Sequence, residues 1–155
     1  MFKTLLANNL FAILVHICMC VILFLPIGYI WGLGVWDNSR NMALKDFVYN
    51  CLAIGICTIV TLSLYFLAGR KFLSNVNNVP THFLSVLAIG IIIAVAALTV
   101  YKSGSFWVLL VTPIYPISET ISYFFRIELK YAYLLMSLLP SLTMWAGMIT
   151  KRLPK

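Results

Sequence analysis

Residues 106–130, FWVLLVTPIYPISETISYFFRIELK, decide how many times this chain can cross a bilayer. The apolar opening, residues 106–117, would be about 18 Å long as a helix, against a hydrocarbon core of about 30 Å. Pro113 and Pro116 interrupt it, and the residue before a proline is pushed away from helical backbone. After Ser118, a good N-cap, Ile121, Phe124 and Phe125 recur at helical spacing, with Glu119, Ser122 and Arg126 on other faces. The pattern predicts a short half-helix, a proline-defined bend and an amphipathic segment lying at the interface. Glu119 and Arg126 then stand in water as an extracytoplasmic cap. The competing reading makes residues 105–125 a further span and buries Glu119, at a cost of at least about 2.5 kcal/mol.

On either side the chain is a succession of charge-free runs: residues 4–36, 47–69, 72–101 and 131–150 contain no Lys, Arg, Asp or Glu. A spanning helix needs roughly 20 mainly apolar residues, and each run supplies them. Composition agrees, with 63% hydrophobic and 10% charged residues, where a soluble domain carries roughly 25% charged. The fold class expected is all-α integral membrane, a single polytopic domain over residues 1–155. Its spans lie at about 5–31, 47–68, 83–101 and 131–150, and the interfacial segment at 106–130 separates the third from the fourth. Pro26 predicts a kink near the end of the first span. Gly69, followed by Arg70 and Lys71, reads as a helix-ending glycine before interfacial cations. The first apolar run is longer than a signal-peptide core and has no Ala-x-Ala pattern, so it reads as a retained span.

The formal charge of +7 comes from 11 basic and 4 acidic residues. The basic residues sit at the ends of apolar runs, where they anchor helices against anionic headgroups, so nucleic acid is not an expected partner. With four spans, one face holds Lys3, Arg70, Lys71, Lys151, Arg152 and Lys155. The other holds Arg40, Lys45, Lys102, Arg126 and Lys130, together with all four acids. The pairs Arg70-Lys71 and Lys151-Arg152 abut their spans, which predicts cytoplasmic termini in a multi-pass plasma-membrane protein. The far face gathers Tyr29, Trp31, Trp36, Tyr49, Tyr101, Trp107, Tyr131 and Tyr133 as an aromatic belt.

Chemistry-bearing residues inside the spans are few. Asn9, His16 and Cys20, at i, i+7 and i+11, share a helix face, and His16 is the ionisable residue deep within a span. Such a residue is a functional candidate by default; the structural alternative is a neutral imidazole bridging two helices. In the second span Asn50, Cys57, Thr61 and Tyr65 form a polar stripe, with Thr58 beside them. Lipid-facing surfaces do not carry such stripes, so this candidate intramembrane face is expected to meet the first helix or a wet cavity. Gly90, Ala94 and Ala97 make a small-residue ridge for close packing. Ser137 and Ser141 flank Pro140, where hydroxyls can satisfy the carbonyls that proline frees. His82 reads as a headgroup-level residue.

No Cys-x-x-Cys pair, phosphate loop or His-Glu metal pattern occurs, and His16 with Cys20 supplies only two ligands. The sequence therefore predicts no enzyme, no cofactor and no metal. The segment Leu67-Ala68-Gly69-Arg70-Lys71-Phe72 resembles the arginine-aromatic span ending of GtrA-type proteins, with Gly69 where that family usually has asparagine. That resemblance implies translocation of a lipid-linked sugar. The leading expectation is a non-enzymatic accessory, regulatory or self-protection protein, embedded in the lipid bilayer and touching a membrane partner or a second copy of itself. The alternative is a translocator or channel-like subunit for a lipid-linked or small polar substrate.

Overall fold

The computed structural model describes residues 2–32, 44–74, 79–103 and 105–151, nearly all helical and with no strand among them. Helix α1 covers Phe2–Gly32, α2 Leu44–Phe72, α3 Val79–Leu84 and α4 Leu87–Ser103. Then come α5 (Ser105–Val111), a 3-10 turn (Thr112–Ile114), α6 (Tyr115–Phe125), α7 (Leu129–Met136) and α8 (Leu139–Thr150). Four stretches are long and apolar enough to cross a membrane: Phe2–Gly28, Cys51–Phe72, Val108–Phe125 and Leu129–Thr150.

These are not quite the four stretches the sequence suggests. The span expected at 83–101 is divided by a break at Ser85 and Val86, leaving Leu87–Thr99 as a shorter apolar helix. The stretch expected to be broken by Pro113 and Pro116 stays helical. Each proline occupies the first turn of a new segment, where its missing N–H is an orphan in any case and its fixed φ suits a helix. Pro140 does the same at the start of α8. Ser118 is accordingly no cap; it lies three residues inside α6 and is fully buried. Helix α1 likewise continues six residues past Pro26.

Hydrogen bonds set the direction of each rod. The Asn8 side chain pairs with both backbone groups of Ser74, accepting from its N–H at 3.0 Å and donating to its carbonyl at 2.8 Å. The start of α1 and the end of α2 therefore share one end of the bundle. Ser85, beside the start of α4, lies 3.4 Å from Asn8 and 3.9 Å from the Met148 sulfur, which brings the end of α8 there too. Further along, Gly90 faces Ser137, Leu138 and Ser141, so α4 and the α7–α8 rod run antiparallel. The start of α1 and the end of α8 thus lie at the same end. The 105–125 segment leaves from the opposite end and returns to it.

Where α2 and α8 meet, their backbones touch. A Cβ on Gly69 would stand 2.1 Å from the Met144 carbonyl oxygen, and one on Gly147 2.1 Å from that of Phe66. Gly69 is therefore a packing residue inside α2, which continues to Phe72, and not a helix stop. Helix α4 buries Ile89, Ile93, Ala96 and Ala97 completely. Gly90 and Ala97 of the expected ridge are buried and Ala94 is half-buried. The outer surface carries Leu10, Leu14, Val21 and Leu25 on α1 and Leu52, Ile56 and Ile59 on α2, all exposed. Leaving such residues in water would cost a soluble protein heavily, whereas a lipid surround accepts them.

Candidate functional site

The polar groups of the interior close onto backbone that the helix breaks leave unpaired. His16, 1% exposed, stands at the middle of α1 and reaches two other elements. Its Nδ1 lies 2.6 Å from the Tyr65 hydroxyl and its Nε2 3.0 Å from the Leu110 carbonyl oxygen. A carbonyl can only accept, so Nε2 carries the hydrogen; in the neutral ring Nδ1 then accepts from the Tyr65 O–H. The Leu110 carbonyl is available for a physical reason. Leu110 lies in the last turn of α5, where the chain tightens into the 3-10 turn, and the N–H three residues on belongs to Pro113, which has none. His16 thus supplies the donor that the proline withholds.

Cys20 sits one turn further along α1, its sulfur 3.6 Å from His16 Nε2 and 4.0 Å from the Leu110 oxygen. The expected face of Asn9, His16 and Cys20 is therefore divided: the latter two converge on Leu110, while Asn9 turns to the α3–α4 break. There the Asn9 amide donates to the Leu84 carbonyl and accepts from the Ala88 N–H, both at 3.1 Å. It caps two helix ends at once, satisfying an acceptor from α3 and a donor from α4. Ser141 completes the repair, donating to the Val86 carbonyl at 2.8 Å and accepting from the Gly90 N–H at 3.2 Å.

On α2, Tyr65 is fully buried against His16, so the polar faces of the first two long helices meet there. Thr61 is buried too, but its hydroxyl turns back to the Cys57 carbonyl at 2.6 Å. Cys57 is half-buried and sits eight residues, about 12 Å, from Tyr65 along the helix, away from His16. The Asn50 side chain lies outside the described residues. Of the expected cap, Arg126 is exposed and ends α6 in left-handed conformation, with φ of 53°, and Glu119 is half-buried. Phe124 and Phe125, 68% and 74% exposed, point outward.

Two assignments from sequence are reversed. His82 is buried, at 1% exposure, and does not stand at a solvated surface. Ser137 and Ser141 do not serve the carbonyl that Pro140 frees, that of Met136: Ser137 donates to the Leu134 carbonyl and Ser141 to α4. Sequence reasoning also passed over Asn8, Ser74 and Ser85. Asn8 carried a signal, an amide inside an apolar run, but its partners Ser74 and Ser85 are 66 and 77 residues away. Among the described residues no three His, Cys, Asp or Glu side chains gather as a metal site. No family model, curated protein or solved structure matches this chain.

Proposed function

We propose that this chain is a non-enzymatic multi-pass protein of the plasma membrane that acts through its helix surfaces, on a membrane partner or a second copy. Its crossing rods are α1, α2, the α3–α4 pair and the α7–α8 pair, and residues 105–125 form a re-entrant element on the extracytoplasmic side. The basic residues abutting α2 and α8 support cytoplasmic termini.

One observation carries the choice against a translocator. His16, Tyr65 and Thr61, the groups a polar path would use, are each 2% exposed or less and spend their hydrogen bonds on protein. The groove beside α2, about 490 Å³, is lined instead by Cys51, Ile54, Gly55, Ile59, Ile117 and Phe124, with Thr58 and Thr120. A conduction or translocation path needs wetted polar walls, and these polar groups are turned to other protein atoms.

The test is cysteine accessibility in a cysteine-free background within intact membranes. A thiol at Thr61 should resist an impermeant reagent from both sides, and photo-crosslinkers at Leu10, Leu14, Ile17 and Val21 should capture protein with helical periodicity. Labelling of the Thr61 position from water would favour translocation and overturn the reading.

A further inference from the structure

The end of the bundle that gathers the start of α1 and the ends of α2 and α8 is cationic, and its segments carry no acidic side chain. Lys3 opens α1, Arg70 and Lys71 close α2, and Lys151 follows α8; all four side chains are exposed. The Asn8–Ser74 and Ser85–Met148 contacts bring these helix ends to one level. No Asp or Glu occurs in residues 1–36, 47–118 or 129–155, so no acidic side chain of these segments offsets the cations.

Next to this rim, α2 and α8 leave an open groove of about 520 Å³ lined by Leu62, Ser63, Phe66, Leu67 and Thr143. Leu67 precedes Arg70 and Lys71 by three and four residues, one turn of the same helix face, so the groove runs into the cationic end. From Leu62 to Arg70 the helix rises about 12 Å, close to the roughly 15 Å depth of one leaflet's hydrocarbon. Lys151, which follows α8, is eight residues beyond Thr143, and α8 runs alongside α2 in the same direction. Groove wall and charged rim therefore keep step on both helices.

We propose that this groove holds one anionic phospholipid, an acyl chain lying between α2 and α8 and the phosphate among Arg70, Lys71 and Lys151. The headgroup offsets the repulsion of the clustered cations, and the chain fills a furrow that a straight neighbouring helix would bridge poorly. An anionic surface attracts each nearby Lys or Arg strongly enough to change affinity about fivefold per charge.

The full chain in detergent micelles is offered equal amounts of phosphatidylglycerol and phosphatidylcholine, and bound lipid is read by native mass spectrometry. Wild type should retain one phosphatidylglycerol in preference. The double variant R70Q/K71Q should lower that retention about 25-fold while leaving phosphatidylcholine retention unchanged. Ser63→Phe, at an exposed position, fills the groove and should lower retention of both lipids. Glycerol 3-phosphate, a headgroup without a chain, should displace neither. Equal retention of the two lipids by wild type, wild-type retention by R70Q/K71Q or Ser63→Phe, or displacement by glycerol 3-phosphate would each overturn the site.

Discussion

Gly147→Ala sets a single methyl group against the backbone of a neighbouring helix. The new Cβ would stand 2.1 Å from the Phe66 carbonyl oxygen and 2.9 Å from the Arg70 nitrogen, where ordinary contact begins at 3.4 Å. Helix α8 must therefore withdraw by 3.4 − 2.1 = 1.3 Å at the crossing. Both obstructing atoms are backbone, so no rotamer change relieves them. The withdrawal also loosens Met144, Met148 and Ala68, which are buried nearby. Overpacking of this kind costs about 1–3 kcal/mol, and a rigid receiving surface places the value near the top of that range. Gly28→Ala is the matched control: its Cβ would meet nothing within 4 Å, and alanine favours a helix over glycine by about 0.5–1 kcal/mol. Two chemically identical substitutions should thus differ by roughly 3–4 kcal/mol. The assay is titration of purified protein in mild detergent with dodecyl sulfate, followed by loss of helical circular dichroism. If Gly147→Ala and Gly28→Ala unfold within about 0.5 kcal/mol of each other, the backbone contact between α2 and α8 does not exist.

The same titration tests the buried histidine. Tyr65→Phe removes one hydrogen bond, about 0.6 and at most about 1.7 kcal/mol, and His16→Leu removes two, about 1.2 kcal/mol; the double variant should cost less than the sum by the shared bond. Strict additivity would mean that the 2.6 Å contact contributes nothing. Asn9→Leu strips partners from the Leu84 carbonyl and the Ala88 N–H and should destabilise by about 1–3 kcal/mol, whereas Leu10→Ala, on the exposed face of the same helix, should be near neutral. In intact cells a cysteine at Ser118 should resist an impermeant maleimide while one at Arg126 reacts from outside, because Ser118 is fully buried and Arg126 exposed. Rapid labelling at Ser118 would return α6 to the interface. Reporter fusions after Lys71 and after Lys155 should both report cytoplasm; opposite signals would mean an odd number of crossings.

Much of the polar chemistry of the interior was visible as residue types without partners. His16 and Tyr65 stood out because polar groups are rare in apolar runs, and both are buried and paired. Their third partner, the Leu110 carbonyl, was invisible, because it is a backbone atom made available by Pro113 in the turn that follows. The prolines misled for a related reason. Their position in the chain suggests breaks, whereas their position within the first turn of each new helical segment lets helix continue. His82, next to a polar connection, looked solvated until neighbouring helices closed over it.

The sequence by itself determined that this chain is helical and suited to lipid, because four charge-free runs of spanning length leave few other ways to satisfy backbone hydrogen bonds. It also determined where cations collect, since charges can sit only where helices end. The tertiary structure alone decided which polar groups pair, that Gly69 and Gly147 are contact points, and that the 105–125 segment returns to the end it left. Those facts depend on residues 50 to 100 positions apart meeting at ångström distances. Within a chain this uniformly apolar, periodicity cannot choose among the faces that might meet, and only close packing and the pairing of each freed backbone group do so.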